Sequence, residues 1–287
     1  MKIVTDSGAD ITQAECRELG VTMVPLKVEV NGKSYQSGVD ITPDQFYDMM
    51  DASPTMPITS TPSVGEFAAV YEALAKEDPD ILSIHLSSGL SGTFNAAVQA
   101  ASEVKGASIH LIDTLTLSAG TAWQVRAAAE MVKANLSKEN ILAKLRQIQD
   151  ASSCFFTLPD LKYLIAGGRI SHLKGLLASL LGIKPVIEVS KKDGKYYDVG
   201  KKRSFQKAIE SIAESIGSVI PVGSRIQAQL VTASNPSGAE LLKQAMDKSF
   251  NVEWLPVVTL GTALGAHTGR GLVGVICASM AALPTIP

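Results

Sequence analysis

Hydroxyls and glycines cluster in four short segments of this chain, each beside an apolar run or ahead of a helical pattern. They are Thr5-Asp6-Ser7, Thr59-Ser60-Thr61-Pro62-Ser63, Ser87-Ser88-Gly89-Leu90-Ser91-Gly92-Thr93, and Asp113-Thr114 with Thr116 and Ser118 close behind. Such residues supply hydroxyl donors and unhindered backbone amides, and a helix N-terminus adds orphan N–H groups and a positive dipole end. In an open parallel sheet, ligands bind beyond the carboxyl ends of the strands. Four loops of this chemistry at those ends suit an anion. Each loop taken alone also serves as ordinary capping: Ser63 with Glu66 has capping-box spacing, and Pro62 suits a first turn.

Other constellations point elsewhere. Gly89-Leu90-Ser91-Gly92-Thr93 differs from a serine-hydrolase nucleophile elbow by Thr93 in place of the last glycine. Asp113 and His267 follow in a workable order, so an esterase using Ser91 is one alternative. A phosphate- or ketose-binding enzyme is another, although no segment locates its site. No glycine-rich run ends in Gly-Lys-Ser/Thr and no G-x-G-x-x-G follows a strand, which speaks against nucleotide binding. The four histidines, His85, His110, His172 and His267, have no metal-ligand spacing, and no metal is expected. His85 and His110 are expected as buried strand residues. His267 lies within Gly261–Gly271, which reads as a glycine-rich loop, and Arg169 follows Gly167-Gly168 in a second. A histidine and an arginine on such loops suit a phosphate or carboxylate near the surface. The cluster Lys191, Lys192, Lys195, Lys201, Lys202, Arg203 reads as a solvated face, with an acidic partner as the alternative.

The whole chain bounds these readings. Its 287 residues suggest about two domains. Hydrophobic residues at 46% and charged residues at 19% allow a large core. A net charge of −2 argues against non-specific nucleic-acid binding, and 5% aromatics are too few for a stacking platform. Three scattered cysteines form neither a disulfide framework nor a zinc site, so a reducing cytoplasm is expected. The start of the chain has no signal-peptide core, and Leu272–Leu283 falls short of the ~20 residues that span a bilayer, so no stable membrane insertion is expected.

The spacing predicts which elements carry the loops. Ile3-Val4, Ile81–Leu86 and Ile109–Ile112 read as strands, and Ser63–Lys76 and the segments after Gly92, Trp123 and Ile141 as helices. Strand and helix in alternation imply a mostly parallel, Rossmann-like sheet. Asn31-Gly32 predicts a hairpin between Met23 and Tyr35. The second half reads differently. A hairpin over Val186–Val199 precedes helices over Ser204–Ile216 and Ser237–Lys248 and strands at Ile226–Val231, Val252–Val258 and Gly274–Ala278. The expected architecture is α/β with two domains, an N-terminal parallel one over 1–155 and a C-terminal α+β one with a mixed sheet over 156–287.

Taken together, the order and spacing of Val4-Thr5-Asp6-Ser7, Thr59–Ser63, Leu86–Thr93, Ile112-Asp113-Thr114, Leu161–Leu164 with Gly167–Ile170, Lys184-Pro185 and His267-Thr268-Gly269 with Gly271 resemble the DegV family of bacterial fatty-acid-binding proteins. The resemblance implies two α/β domains sharing a tunnel for one long-chain fatty acid, whose carboxylate meets Thr59 and Ser91. Asp6, Ser7, Ser60, Ser88, Gly92, Thr93, Asp113 and Thr114 would be supporting polar positions. It also implies no cofactor and no catalytic set of the chain's own. The bound acid would be presented to a separate ATP-dependent fatty acid kinase, which forms acyl-phosphate for phospholipid synthesis, with Arg169 and His267 assisting transfer. Two positions depart from the pattern: Arg270 stands where the family usually has proline, and Ala166 where it often has lysine.

Overall fold

The computed structural model describes residues 1–173 and 182–287. The chain opens with β1 (Lys2–Asp6), α1 (Gln13–Leu19) and β2 (Val21–Val24). A small antiparallel sheet follows: β3 (Lys27–Val30), β4 (Lys33–Gln36) and, after α2 (Pro43–Ala52), β5 (Ile58–Ser60). Next come α3 (Val64–Ala75), β6 (Asp80–His85), α4 (Thr93–Glu103), β7 (Ser108–Asp113), α5 (Ala119–Lys133) and α6 (Lys138–Ala151). β1, β2, β6 and β7 form one parallel sheet in the order β2-β1-β6-β7. Helical crossovers force that parallel pairing, and all four strands end on the same edge. The caps follow the sequence signals. Ser63 and Glu66 cap α3 reciprocally, and Asn31 and Gly32 take φ of 53° and 72°, the left-handed pair that a tight hairpin turn needs.

The remaining strands form a mixed sheet. They are β8 (Ser153–Thr157), β9 (Lys184–Val189), β10 (Tyr196–Lys202), β11 (Arg225–Thr232), β12 (Asn251–Thr259) and β13 (Val273–Ser279), in the order β10-β9-β8-β13-β11-β12. Only β11 and β12 pair in parallel. Helices α7 (Lys162–Ala166), α8 (Phe205–Gly217), α9 (Pro236–Asp247) and α10 (Thr262–Thr268) complete the set. Strand alternation splits the core in two. Phe155, Val186, Val275 and Cys277 pack with α8 and α9, whereas Phe156, Ile187, Tyr196 and Ile276 join the large core that includes Trp123, Leu164 and Leu264. The face opposite α8 and α9 is therefore turned toward the first half of the chain. β8 spans the expected boundary at residue 155, so a strand rather than a linker carries the chain from one sheet to the other.

Two expectations change. Gly261–Gly271 is not simply a loop. It begins with α10, whose Ala263, Leu264 and Ala266 are buried. Small side chains there let a short helix pack closely, a use that glycine content alone does not reveal. His85 is completely buried, but His110 is only partly so, because β7 is the outer strand of its sheet. Among the described residues no helix is long and apolar enough to cross a membrane.

The two halves also meet at a turn. Ser87 Oγ donates to the Gly194 carbonyl at 2.9 Å. Gly194 has φ of +63°, and a Cβ there would run into the Ser87 side chain and press on the Leu115 backbone. Gly194→Ala is therefore expected to lower stability by about 1–3 kcal/mol. Gly200→Ala, whose added Cβ would meet Val186 at an ordinary 3.5 Å, should have little effect. Urea unfolding midpoints of the two variants check this, and equal midpoints would show that the turn is not constrained.

Candidate functional site

Thr59, Ser60, Ser91, Arg169 and His267 line one small pocket of about 50 Å³, with Thr61, Leu26, Leu86, Leu90, Tyr196 and Leu264 among its other walls. The polar members arrive on four elements, with Thr59 and Ser60 together on β5. Thr59 is held on β5 opposite Val28 of β3. Ser91 stands just ahead of α4, where its Oγ shares a 2.9 Å hydrogen bond with Thr93 Oγ1 and accepts from Thr93 N–H at 3.3 Å. Arg169 opens a 3-10 turn after Gly167-Gly168 and donates from Nη1 to the Gly167 carbonyl at 2.6 Å. His267 is near the end of α10, and its Nε2 lies 2.7 Å from Thr59 Oγ1.

The histidine carries the main electrostatic feature. Burial, and then the Arg169 guanidinium, push its pKa down from 6.5 to about 4. At neutral pH the ring is uncharged, with one nitrogen donating and the other accepting. Nδ1 is buried and has no partner among the described residues. Gly167 packs against that nitrogen, and a Cβ at this position would overlap it. The pocket walls include Thr59, Ser60, Thr61 and Ser91, a neutral imidazole and one guanidinium. That set orients a carboxylate without clamping it between buried charges.

The other expected positions hold loops instead of lining this pocket. Asp6 is fully buried. It accepts from Gly8 N–H (2.8 Å) and Leu86 N–H (3.1 Å), with His85 Nδ1 at 2.9 Å. Ser7 Oγ accepts from Leu26 N–H at 3.0 Å. Asp113 Oδ1 accepts from the amides of Ser88 (3.2 Å) and Leu115 (3.1 Å). Thr114 Oγ1 donates to the His85 carbonyl at 2.8 Å, and Gly92 precedes α4 without a side-chain cap. Three of the six residues of the basic cluster are engaged: Lys191 bonds the Asp150 carbonyl, and Lys201 and Lys202 pair with Asp198 and Glu214.

The geometry does not bring Ser91, His267 and Asp113 together as a triad. Ser91 bonds Thr93, His267 bonds Thr59, and Asp113 is spent on two amides. A Ser–His–Asp chain does form at Ser83–His85–Asp6, with Ser83 Oγ 2.7 Å from His85 Nε2, but all three side chains are completely buried. A nucleophile there has no route to a substrate.

Tyr196 is a pocket residue that the sequence reading passed over. Strand alternation points it inward, 5% exposed, and its neighbour Tyr197 outward, 47% exposed. That alternation was the available signal. Tyr196 also lines a second, apolar pocket of about 30 Å³, with Leu117, Phe156, Leu260 and Ile276. The polar pocket therefore backs onto an apolar one, with the Tyr196 ring between them.

Comparison with known proteins agrees over nearly the whole chain. A family model described as "Uncharacterised protein, DegV family" matches residues 1–279. The DegV domain-containing protein SAR1438 of Staphylococcus aureus is 33% identical over 274 residues, covering 96% of this chain and 97% of its own. Among solved structures, a fatty-acid-binding DegV family protein from Thermus thermophilus superposes with a TM-score of 0.88 at 32% identity, covering 97% of this chain and 99% of that one. DegV from Bacillus subtilis, a fatty acid binding protein, gives 0.86 at 29% identity, covering 97% and 98%.

The neutral histidine yields a pH prediction. A depressed native pKa means that the unfolded chain binds the proton more readily, so this contribution to stability is present above pH 6.5 and is lost as pH falls toward about 4. An NMR titration should find His267 protonating near pH 4, and Arg169→Gln should raise that value by removing a like charge. Gly167→Ala should move the ring and break its bond to Thr59. A titration near 6.5 in the unaltered protein would refute the assigned environment.

Proposed function

The chain belongs to the DegV family, and on that premise we propose that it carries one long-chain fatty acid whose carboxylate sits at Thr59 and Ser91. The observation that carries this reading is the polar pocket backing onto an apolar one across Tyr196. The likeness to fatty-acid-binding members of the family supports it. We divide the chain near residue 155, and the acid would lie between the two parts. Supporting positions Asp6, Ser7, Ser88, Asp113 and Thr114 would act by holding the loops.

Energetics favour a tail-driven grip. Burying ~14 methylenes at about 0.8 kcal/mol each contributes on the order of 11 kcal/mol before ordering costs. The two pockets are far smaller than such a chain, since one water alone occupies about 30 Å³ of liquid. Entry therefore requires the side chains between them to move, Tyr196 first. The hydroxyls then orient the head.

The chain's part in the proposed chemistry is presentation. A separate ATP-dependent kinase would phosphorylate the carboxylate, giving acyl-phosphate for phospholipid synthesis in the cytoplasm. No cofactor is required of this chain. A developing phosphoryl group spreads charge over several oxygens. Arg169 offers those oxygens a planar fork, and His267 offers a neutral donor or acceptor. The carboxylate would stay reachable because, among the described residues, the half-buried Arg169 is the one Lys or Arg on the pocket wall.

Denaturing the purified protein and analysing released lipid by mass spectrometry tests the carrier reading. Absence of any acyl chain, with no uptake of added fatty acid, would refute it. Thr59→Ala combined with Ser91→Ala removes two charge-assisted hydrogen bonds, about 3–6 kcal/mol of local interaction. That double variant is expected to keep much of its lipid through the tail while acyl-phosphate formation with the cognate kinase falls at least about tenfold, a loss of roughly 1.4 kcal/mol or more at the transition state. His267→Ala and Arg169→Ala should likewise purify with lipid but transfer poorly. Parallel loss of lipid and activity would instead put those two residues among the determinants of binding.

A further inference from the structure

Helix α10 gives the polar pocket Ala263, Leu264 and His267, and it is seated by the other half of the chain. Backbone bonds tie the residues flanking it to the end of β11. Leu260 N–H donates to the Thr232 carbonyl at 2.9 Å, and Gly271 N–H to the Ala233 carbonyl at 2.7 Å. Between those ties the partners lie far back in the sequence. Tyr47 Oη donates to the Leu260 carbonyl at 3.1 Å, and Asp10 Oδ1 accepts from Gly261 N–H at 3.0 Å. Ser37 Oγ accepts from Thr262 Oγ1 at 2.8 Å and from Ala263 N–H at 3.3 Å. At the other end His267 meets Thr59. Gly261, the N-cap of α10, has no side chain to offer, so Asp10 and Ser37 serve the amides at the start of the helix.

Asp10 is the distinctive member. Its Oδ2 accepts from Ser118 Oγ at 2.5 Å, at the start of α5, so one carboxyl joins helices from the two halves. Its backbone takes φ of +53°, which a short polar side chain tolerates. Gly261 leaves the carboxyl its space. A Cβ there would come within 2.4 Å of Asp10 Oδ1 and, among the described residues, would meet only the Asp10 side chain. The Gly261 backbone itself is ordinary, with φ of −69°. Asp10 lines neither pocket assigned to the acid and stands instead in the wall of a separate cleft of about 910 Å³.

We propose that Asp10 is a positioning residue for the polar pocket: as acceptor for the Gly261 amide it seats α10, and through that helix it holds His267 against Thr59. The backbone ties at Leu260 and Gly271 fix where this segment leaves and rejoins the sheet but leave the tilt of the helix open. The Asp10 bond sets that tilt at the end opposite the histidine. The role asks for an oxygen acceptor rather than a charge. Burial raises the Asp10 pKa from 3.8 to about 7, although the Ser118 and Gly261 hydrogen bonds pull it down, so near neutral pH much of the group is uncharged. An amide in its place offers a carbonyl oxygen to Gly261 N–H and an N–H to Ser118 Oγ. The consequence for transfer rests on the reading that this pocket receives the carboxylate; the placement of His267 does not.

The test uses Asp10→Gly, which removes the carboxyl at a backbone angle that glycine accepts, and Asp10→Asn, which keeps the acceptor. In NMR titrations of lipid-free protein, His267 in Asp10→Gly should protonate about one pH unit higher than in the unaltered protein, because a loosened ring is less desolvated. Asp10→Asn should titrate as the unaltered protein does. Gly261→Ala should raise the value likewise but add nothing to Asp10→Gly, since residues in contact couple and the clash is then gone. Should Asp10→Gly not fold, Ser37→Ala removes the acceptor of the Ala263 amide and should move His267 in the same direction. With lipid bound, Asp10→Gly should keep its acyl chain while acyl-phosphate formation with the kinase falls about tenfold. An unmoved His267 in the variants that fold, Asp10→Asn behaving as Asp10→Gly, or an equal shift from Gly261→Ala in both backgrounds overturns the assignment. Failure of the unaltered protein to take up lipid or support transfer would instead overturn the carrier reading, and the histidine titrations would still decide the role of Asp10.

Discussion

The Asp6 carboxylate, buried at the carboxyl end of β1, is the constraint on which the site loops depend. It reaches two backbone amides, Gly8 on its own strand's continuation and Leu86 at the end of β6. It also lies against His85 Nδ1, whose Nε2 is 2.7 Å from Ser83 Oγ, and that oxygen lies 2.8 Å from Tyr71 Oη. Asp6, His85, Ser83 and Tyr71 are all fully buried. In such surroundings an unpaired polar group is costly, so the network holds together or fails as a unit. What it holds is the exit of β6, from which Leu86 and Ser91 reach the pocket. The same chemistry that a sequence reader assigns to ligand binding is thus spent one layer beneath the pocket.

That layering explains which parts of the site were legible in the sequence. Strand and helix alternation, capping boxes and the Asn31-Gly32 turn are local signals, and they predict the parallel sheet and its loops directly. The hydroxyl-rich loops that contain Thr59 and Ser91 were readable from a pattern found four times, whereas the choice of these two residues came from the family resemblance. The division of labour among those loops was not. Whether Asp6 or Thr59 faces a ligand depends on which loop lies over which, and that is fixed by contacts across some eighty residues or more, such as Leu86 to Asp6 and His267 to Thr59. Glycine content misled in one place. Within α10 the small residues serve close packing between helices, and this helix, rather than a free loop, carries His267 into the pocket. Tyr196 was readable in principle from the alternation of β10, but only once the sheet was known to have a second covered face.

Polar and apolar work are separated along one sheet face. Strand alternation sends Phe155 and Cys277 into the layer under α8 and α9, and Cys154, Phe156, Tyr196 and Ile276 toward the first half of the chain. An apolar surface between two halves of a chain is a place where a hydrocarbon can substitute for protein side chains with little change in what each side touches. In the proposed carrier, opening this seam exchanges one set of apolar contacts for another, and the small size of the present pockets is compatible with that. Ser87 against Gly194 gives the seam a fixed edge, so the parting need not separate the halves.

Charge placement follows from the same seam. A carboxylate drawn deep among buried cations would be held tightly and released slowly, because a desolvated ion pair is expensive to break. This pocket avoids that arrangement. Burial and Arg169 together keep His267 neutral, so Arg169 is the single full positive charge on the pocket wall among the described residues. Hydroxyls and a neutral ring orient an anion through directional hydrogen bonds that a second protein's groups can replace one at a time. In the proposed carrier, affinity would reside in the chemically inert tail and reactivity would be left at the head. This division of the proposed carrier's site would leave the head group oriented but reachable, which is what presentation to a second protein requires.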